Sequence, residues 1–245
     1  MSKISVCIAS YNGEQYIQDQ LNSILSQLKP KDEIIISDDN STDRTIEIIK
    51  SMGDNRIKLF EGAGFKNPIK NFEFAISKSS GDYIFLSDQD DVWKDNKIEE
   101  VIRYFHEGYN LVMTDCIVVD QSLNPIINSY FLENNSGAGF LKNLIKNSFI
   151  GCCMAFESKL KDYILPFPEN IPMHDVWIGL MATLKGKVKF LDKPLILYRR
   201  HGSNFSPTSK KSKFNTYTKV LFRVQIIKAI ISRFYGKSIK KRFKS

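Results

Sequence analysis

Over its first hundred residues the chain alternates short apolar runs with stretches whose apolar side chains recur every three or four positions. Residues 4–10 form a β-rich run that Tyr11-Asn12-Gly13 breaks as a turn. Ile17, Leu21, Ile24, Leu25 and Leu28 then mark one face of a helix that ends before Pro30. A second strand, 33–37, runs into Asp38-Asp39-Asn40-Ser41-Thr42-Asp43, where Ser41 or Thr42 is expected to cap a helix reaching Met52. Residues 56–60 read as a third strand and 69–77 as a third helix. Gly62-Ala63-Gly64 between them lacks the third glycine of a dinucleotide loop, and Pro68 intrudes, so no such loop is expected.

The most informative stretch is Tyr83-Ile84-Phe85-Leu86-Ser87-Asp88-Gln89-Asp90-Asp91-Val92-Trp93. A continuous apolar run of this kind predicts a buried strand of a mostly parallel sheet, and here it leads straight into acids and then a helix. Strands alternating with helices over residues 1–105 predict βαβ units. Right-handed crossovers would bring the acids at Asp38-Asp39 and at Asp88 to Asp91 to one rim of the sheet. Ligands of open parallel sheets bind at that edge.

The second half is less regular. Residues 111–119 read as a strand interrupted by Asp115, and Asn124-Pro125 as a turn. Residues 149–156 read as strand-like, with Gly151 where a side chain would otherwise stand. Met173-His174-Asp175-Val176-Trp177 opens a helix to Leu184, and 187–191 and 195–198 are two short strands, the second delivering Arg199-Arg200-His201. Residues 206–213 are polar and basic, a linker. Beyond them Phe214, Tyr217, Val220, Leu221, Val224, Ile227, Ile231 and Phe234 mark a helical stripe, interleaved with Lys219, Arg223, Lys228 and Arg233.

Charge changes this picture. Fifteen of the 35 basic residues and none of the 27 acidic ones lie beyond Asp192, so the net +8 hides an acidic body, 20 basic against 27 acidic residues, and a basic tail. Such a block predicts an anionic surface as partner, phospholipid or nucleic acid. A basic amphipathic helix too polar to span a bilayer suits the membrane surface, and the Lys240-Lys241-Arg242 end adds to the attraction. The alternative is a helix packed on the domain or in a dimer. Composition is that of an ordinary globular protein, at 42% hydrophobic and 25% charged. Cys7, Cys116, Cys152 and Cys153 have no metal-site spacing and read as reduced packing residues of a cytosolic protein. No signal peptide is expected, and no apolar run reaches the length of a membrane span.

Three acids in four residues repel one another unless a cation sits among them, and all-oxygen ligands select a hard ion such as Mg²⁺ or Mn²⁺. The plainer reading is an acidic turn at the start of a helix.

Taken together, residues 6–12, the Asp38-Asp39-Asn40-Ser41-Thr42-Asp43 turn, Gly81-Asp82-Tyr83-Ile84 and Ser87-Asp88-Gln89-Asp90-Asp91-x-Trp93 resemble family 2 glycosyltransferases of the GT-A fold, over roughly residues 3–205. The resemblance implies an α/β fold, a Rossmann-like nucleotide-binding α/β/α sandwich with a mostly parallel central sheet, followed by the basic amphipathic tail. It divides the chain into a domain at 1–205, with a nucleotide-sugar half (1–110) and an acceptor half (111–205), and a tail at 206–245. It places Ala9, Tyr11, Asp38, Asp39, Asp88, Arg199 and Arg200 around the nucleotide-sugar donor, with Tyr11 against the base and Asp39 bonding it. Asp90, Asp88 and His201 would hold Mn²⁺ or Mg²⁺, with Asp91 a ligand or a support. Asp175 would be the base that activates the acceptor hydroxyl, inverting the anomeric centre. His174 stands where the family usually has a second acid. Gly151, Cys152, His174 and Trp177 would line the acceptor side.

The implied reaction moves a hexose from a UDP- or dTDP-linked donor to a saccharide acceptor, lipid-linked, in bacterial surface-polysaccharide (O-antigen or capsule) assembly. The enzyme would work at the cytoplasmic face of the membrane, held there by its tail, with no nucleic-acid partner and its oligomeric state open. Each residue also has a structural reading: Tyr11 as a turn aromatic, Arg199-Arg200-His201 as a surface cluster, Asp175 as a helix cap. Two other functions compete. A haloacid-dehalogenase-type phosphatase also has Asp-x-Asp after an apolar strand, but it needs a late acidic pair, whereas every acid after Asp120 is isolated. A nucleic-acid binder using the tail leaves the acidic rim without a role.

Overall fold

A computed structural model describes residues 2–201 and 215–242. The expected linker at 206–213 and Phe214 lie outside the described residues, as do the side chains of Lys240, Lys241 and Arg242.

In chain order the first half consists of β1 (Ile4–Ser10), α1 (Ile17–Leu25), β2 (Glu33–Asp38), α2 (Thr45–Ser51), β3 (Ile57–Phe60), α3 (Pro68–Lys78), β4 (Tyr83–Asp88), β5 (Val92–Trp93) and α4 (Lys97–His106). The second half adds β6 (Leu111–Val119), β7 (Pro125–Ile127), α5 (Tyr130–Asn134), α6 (Phe140–Ile145), β8 (Met154–Glu157), α7 (Lys161–Ile164), α8 (His174–Lys185), β9 (Val188–Arg199) and α9 (Thr216–Arg242). The strands form one sheet in the order β3-β2-β1-β4-β8-β6-β9-β5, with β7 beside β6. Six strands run one way, and β5, β7 and β8 run against them. This mostly parallel sheet passes through both halves of the chain.

β1 lies between β2 and β4, with Val6, Cys7 and Ile8 wholly buried. Helices cover both faces of such a sheet, so its strands are apolar throughout rather than alternating. The register sets Ser10 against Asp38 and Ala9 against Asp88. The two acidic strand tips therefore flank the end of β1 on one rim, as the crossover rule requires.

Several local expectations are corrected. α2 starts at Thr45, not after Ser41 or Thr42, because Ser41 is spent on the Asp38 carboxylate and on the Asn12 N–H. Asp43 instead accepts from the Thr45 N–H and hydroxyl. After the acidic run the chain adds the two-residue strand β5, antiparallel to β9, before α4 begins. Residues 151–153 form a turn of 3₁₀-helix, which limits the strand expected over 149–156 to β8. The two short strands expected after residue 186 are one strand, β9, whose register against β6 slips around Asp115.

The tail helix packs on the domain. Ile226 and Ile230 are buried, worth about 1.5–3 kcal/mol each. Arg223 donates from Nε to the Leu144 carbonyl (3.0 Å) and from its fork to that of Ile145 (2.5 Å). Arg233 donates to the carbonyls of Tyr163 and Leu165, both at 2.8 Å, and of Pro166. These two arginines, expected to interleave with a lipid-facing stripe, point into the protein. Most of the described stripe faces outward: Tyr217, Val220, Leu221, Val224, Ile227 and Ile231 are exposed, as is Tyr235 beyond it, whereas Phe234 packs against the core. No helix among the described residues is long and apolar enough to cross a membrane.

Candidate active site

The site is assembled by three loops at the carboxyl ends of β1, β2 and β4. Tyr11, 57% exposed, projects from the first. Asn12 has φ +47°, a left-handed conformation that asparagine tolerates, and its side chain accepts the Thr42 N–H at 2.8 Å. Gly13 donates to the Thr45 hydroxyl at 2.7 Å, which ties the first loop to the second. A Cβ on Gly13 would fall 2.5 Å from the Gln89 side-chain amide, which would have to move aside and give up its place beneath Tyr11.

Asp38 and Asp39 share the second loop but face different neighbours. Asp38 is wholly buried, and its carboxylate accepts from the hydroxyls of Ser10 and Ser41 and from the Ser41 N–H. It shapes the turn from beneath. Asp39 accepts the N–H groups of Lys66 and Asn67 at 3.1 and 3.2 Å, and so faces the loop after β3.

The third loop carries the acids. Asp90 Oδ2 lies 2.7 Å from His201 Nε2, so the end of β9 closes over the tip of β4. Asp91 is wholly buried; one oxygen accepts the Arg199 N–H at 3.0 Å, while Oδ2 has no hydrogen-bond partner. Ligand atoms of Asp88, Asp91 and Cys152 lie within 4.8 Å of one another. Burial, reinforced by Asp90, pushes the Asp88 carboxyl up to about 8 and raises Asp91 well above the carboxylate range. Crowded, desolvated acids with an orphaned oxygen are a donor set that a divalent cation would satisfy. These residues fit the expected metal, with Cys152 beneath them as an added neighbour.

Arg199 is buried behind this loop. Its guanidinium donates to the carbonyls of Asp90 (2.9 Å) and Gln121 (2.6 Å), reaches Asp19 at 3.4 Å, and lies 4.5 Å from the Tyr16 ring centroid. That geometry ties the acidic loop to the end of β9. Arg200 is partly exposed beside it, its N–H on the Val119 carbonyl at 2.8 Å.

Across the site, Asp175 stands in the first turn of α8, half-buried. Its Oδ1 accepts the adjoining Val176 N–H at 2.6 Å, and the helix has no side-chain cap hydrogen bond. Burial raises this carboxyl to about 7. Its charge is felt at Asp88. His174 is buried against Gly151 and stacked on Phe72 at 4.3 Å, with both ring nitrogens unpartnered. A Cβ on Gly151 would meet His174 Nε2 at 2.6 Å, so glycine is what lets this wall close. Burial drops His174 to about 3, so the ring is neutral. Trp177 is corrected. It lies about 200° round the helix from Asp175, is fully buried, and donates its indole N–H to the Ile164 carbonyl at 2.9 Å. It is a core residue, not an acceptor contact.

Sequence reasoning missed three supporting residues. Gln89 bridges to the Tyr11 backbone. Gln20 reaches from α1 to the Ser87 hydroxyl and to the Asp88 carbonyl at 3.1 Å. Lys97, wholly buried and lowered to about 8 by that burial, donates to the Cys152 carbonyl at 3.1 Å. Gln20 and Lys97 carried a signal: each is a polar residue on the inward face of its helix, beside Leu21 and Ile98 respectively.

The glycosyl transferase family 2 model matches residues 5–164. A dTDP-rhamnosyl transferase of Shigella flexneri is 28% identical over 90% of this chain and 82% of its own length. A GalNAc(5)-diNAcBac-PP-undecaprenol β-1,3-glucosyltransferase of Campylobacter jejuni is 28% identical over 81% of this chain and 65% of its own. Among solved structures, S. aureus TarS 1–349 in complex with UDP-GlcNAc superposes with a TM-score of 0.68 at 19% identity, covering 96% of this chain and 73% of TarS 1–349. That likeness concerns the fold.

Proposed function

This chain belongs to glycosyl transferase family 2, and on that premise we propose that it transfers a hexose, with inversion, from a UDP- or dTDP-linked donor to a lipid-linked saccharide in bacterial surface-polysaccharide assembly. The observation that carries the reading is the pairing across one site of the Asp88–Asp91 cluster with Asp175, an acid raised to about 7. A carboxyl with that value is deprotonated often enough near neutrality to act as a base and basic enough to take a hydroxyl proton.

Tyr11 offers an exposed ring for the base to stack on, and Asp39, on the same rim, would accept a base N–H. Asp88, Asp90 and Asp91, with His201, would hold a Mn²⁺ or Mg²⁺ ion, whose chemistry is Lewis-acid neutralisation of the leaving diphosphate. Asp175 takes the proton of the acceptor hydroxyl as that oxygen bonds to the anomeric carbon. The bond from that carbon to the diphosphate oxygen breaks, and its electron pair leaves with the nucleotide. Attack from the face opposite the leaving group inverts the centre. Gly151 and the neutral His174 form the neighbouring wall for the acceptor sugar.

The named relatives support the donor and acceptor classes: one is described as a dTDP-rhamnosyl transferase, the other by a polyprenyl-diphosphate acceptor. Nucleoside diphosphate release from a panel of UDP and dTDP sugars, with an undecaprenyl-diphosphate saccharide as acceptor, tests the reading. Release that requires both acceptor and Asp175 supports it; no release from any donor with either cation would overturn it.

A further inference from the structure

α9 is apolar on two opposite faces, and among the described residues only one of them is docked. The docked face holds Ile226 and Ile230, fixed by the carbonyl bonds of Arg223 and Arg233. The other carries the outward row from Tyr217 to Tyr235, broken only by Lys228. An apolar helical face in water costs free energy unless something covers it.

A second apolar row adjoins it. Leu141 and Ile145, one turn apart on α6, are 70% and 67% exposed. The Arg223 bond to the Ile145 carbonyl sets this row beside α9. The two segments also share a charge pattern. Residues 134–156 and 193–245 contain no acidic residue, and Lys142, Lys146 and Lys228 are exposed beside the apolar rows. Exposed apolar side chains rimmed by lysines with no acid match an anionic lipid surface. A second copy would set lysines against lysines, which disfavours a self-dimer through this face.

We propose that α6 and the outward face of α9 together form one surface that seats the domain on an anionic bilayer, with α8 behind it. Arg233 lies 5.3 Å from the Trp177 ring centroid, and Lys185 of α8 lies 4.0 Å from that of Phe234, so α9 is fastened to the helix that carries Asp175. Residues 146–150 run from α6 directly to Gly151 and its wall. A saccharide on a lipid anchor would meet the domain at the bilayer that seats it; this purpose rests on the function proposed above, while the lipid contact does not.

Cosedimentation with phosphatidylglycerol vesicles, against phosphatidylcholine vesicles, tests the surface. The full chain should partition onto the anionic vesicles, and less so at high salt. Leu141→Asp/Ile145→Asp and Val224→Asp/Ile231→Asp should each weaken partition by about tenfold, with UDP affinity and melting temperature unchanged. No partition of the parent chain, or partition that either pair leaves intact, would overturn the joint surface. Sedimentation showing a dimer that both pairs dissociate would assign the face to a second copy instead. Vesicle partition without sugar transfer would count against the proposed function and leave the surface standing.

Discussion

Gln89 and the backbone of Tyr11 exchange a pair of hydrogen bonds. The Tyr11 N–H donates to Oε1 at 2.8 Å, and Nε2 donates to the Tyr11 carbonyl at 2.9 Å. The one uncharged residue of the acidic run 88–91 thus fastens the loop that presents Tyr11. The acidic cluster and the exposed Tyr11 ring are held in one frame.

Gln89→Ala should remove both bonds, at about 1 kcal/mol each, and loosen the Tyr11 loop. UDP affinity by calorimetry is expected to fall about tenfold, with the cation response retained. Equal affinity in the variant would show that the pair does not position the nucleotide loop.

If the Asp88–Asp91 cluster holds a cation, Mn²⁺ or Mg²⁺ raises the melting temperature of the parent chain. Mass action is worth about 2.7 kcal/mol at a hundredfold excess over Kd. Asp91→Asn should lose most of that shift, and Asp90→Ala should abolish turnover while its circular dichroism matches the parent. A melting temperature indifferent to both ions removes the metal assignment.

Asp175→Asn is expected to cut kcat by about 10²–10⁴, and the parent kcat/KM should rise as pH passes through 7. Stability should respond in the opposite sense. A carboxyl raised from 3.8 to about 7 in the fold resists ionisation there, so the penalty is absent below about pH 4 and complete above pH 7. Asp88 and Tyr130 are the titratable neighbours that feel Asp175, and the variant should shift both slightly. The Asn variant should be more stable than the parent at pH 8, by about 2 kcal/mol, with a higher melting temperature, and equally stable at pH 4. An identical melting temperature at pH 8 would contradict a carboxyl whose ionisation the fold opposes.

Arg233→Ala leaves three carbonyls without their donor and should destabilise the chain by about 2–3 kcal/mol in urea unfolding. Arg233→Lys should recover only part, because an ammonium cannot reproduce the fork. An unchanged midpoint for Arg233→Ala would mean that α9 is not anchored at this point.

The order of strands and acidic tips was legible in the sequence because it is local. An apolar run such as Tyr83 to Leu86 reads as a buried strand, and the acids that follow lie at its carboxyl end whatever the rest of the chain does. Topological handedness then brings Asp38 and Asp88 to one rim without further information. The placement of Asp175 at a helix start was equally local.

Contacts between distant segments were not legible in pattern or spacing; only the family resemblance set Asp90 and His201 in one site. Asp90 meets His201 only because β9 runs back beside β5, and Arg199 turns inward because the carbonyls of Asp90 and Gln121 converge there. For α9, periodicity located a real apolar stripe but could not say which side would dock, since both sides are apolar. Carbonyls at Leu144, Ile145, Tyr163 and Leu165, far away in the chain, drew in Arg223 and Arg233 and turned the stripe outward. The sequence by itself determined the elements and the chemistry at their tips, because those depend on neighbours along the chain. Only the tertiary structure decided which donors met which acceptors, because a buried polar group must find its partner wherever the fold supplies one.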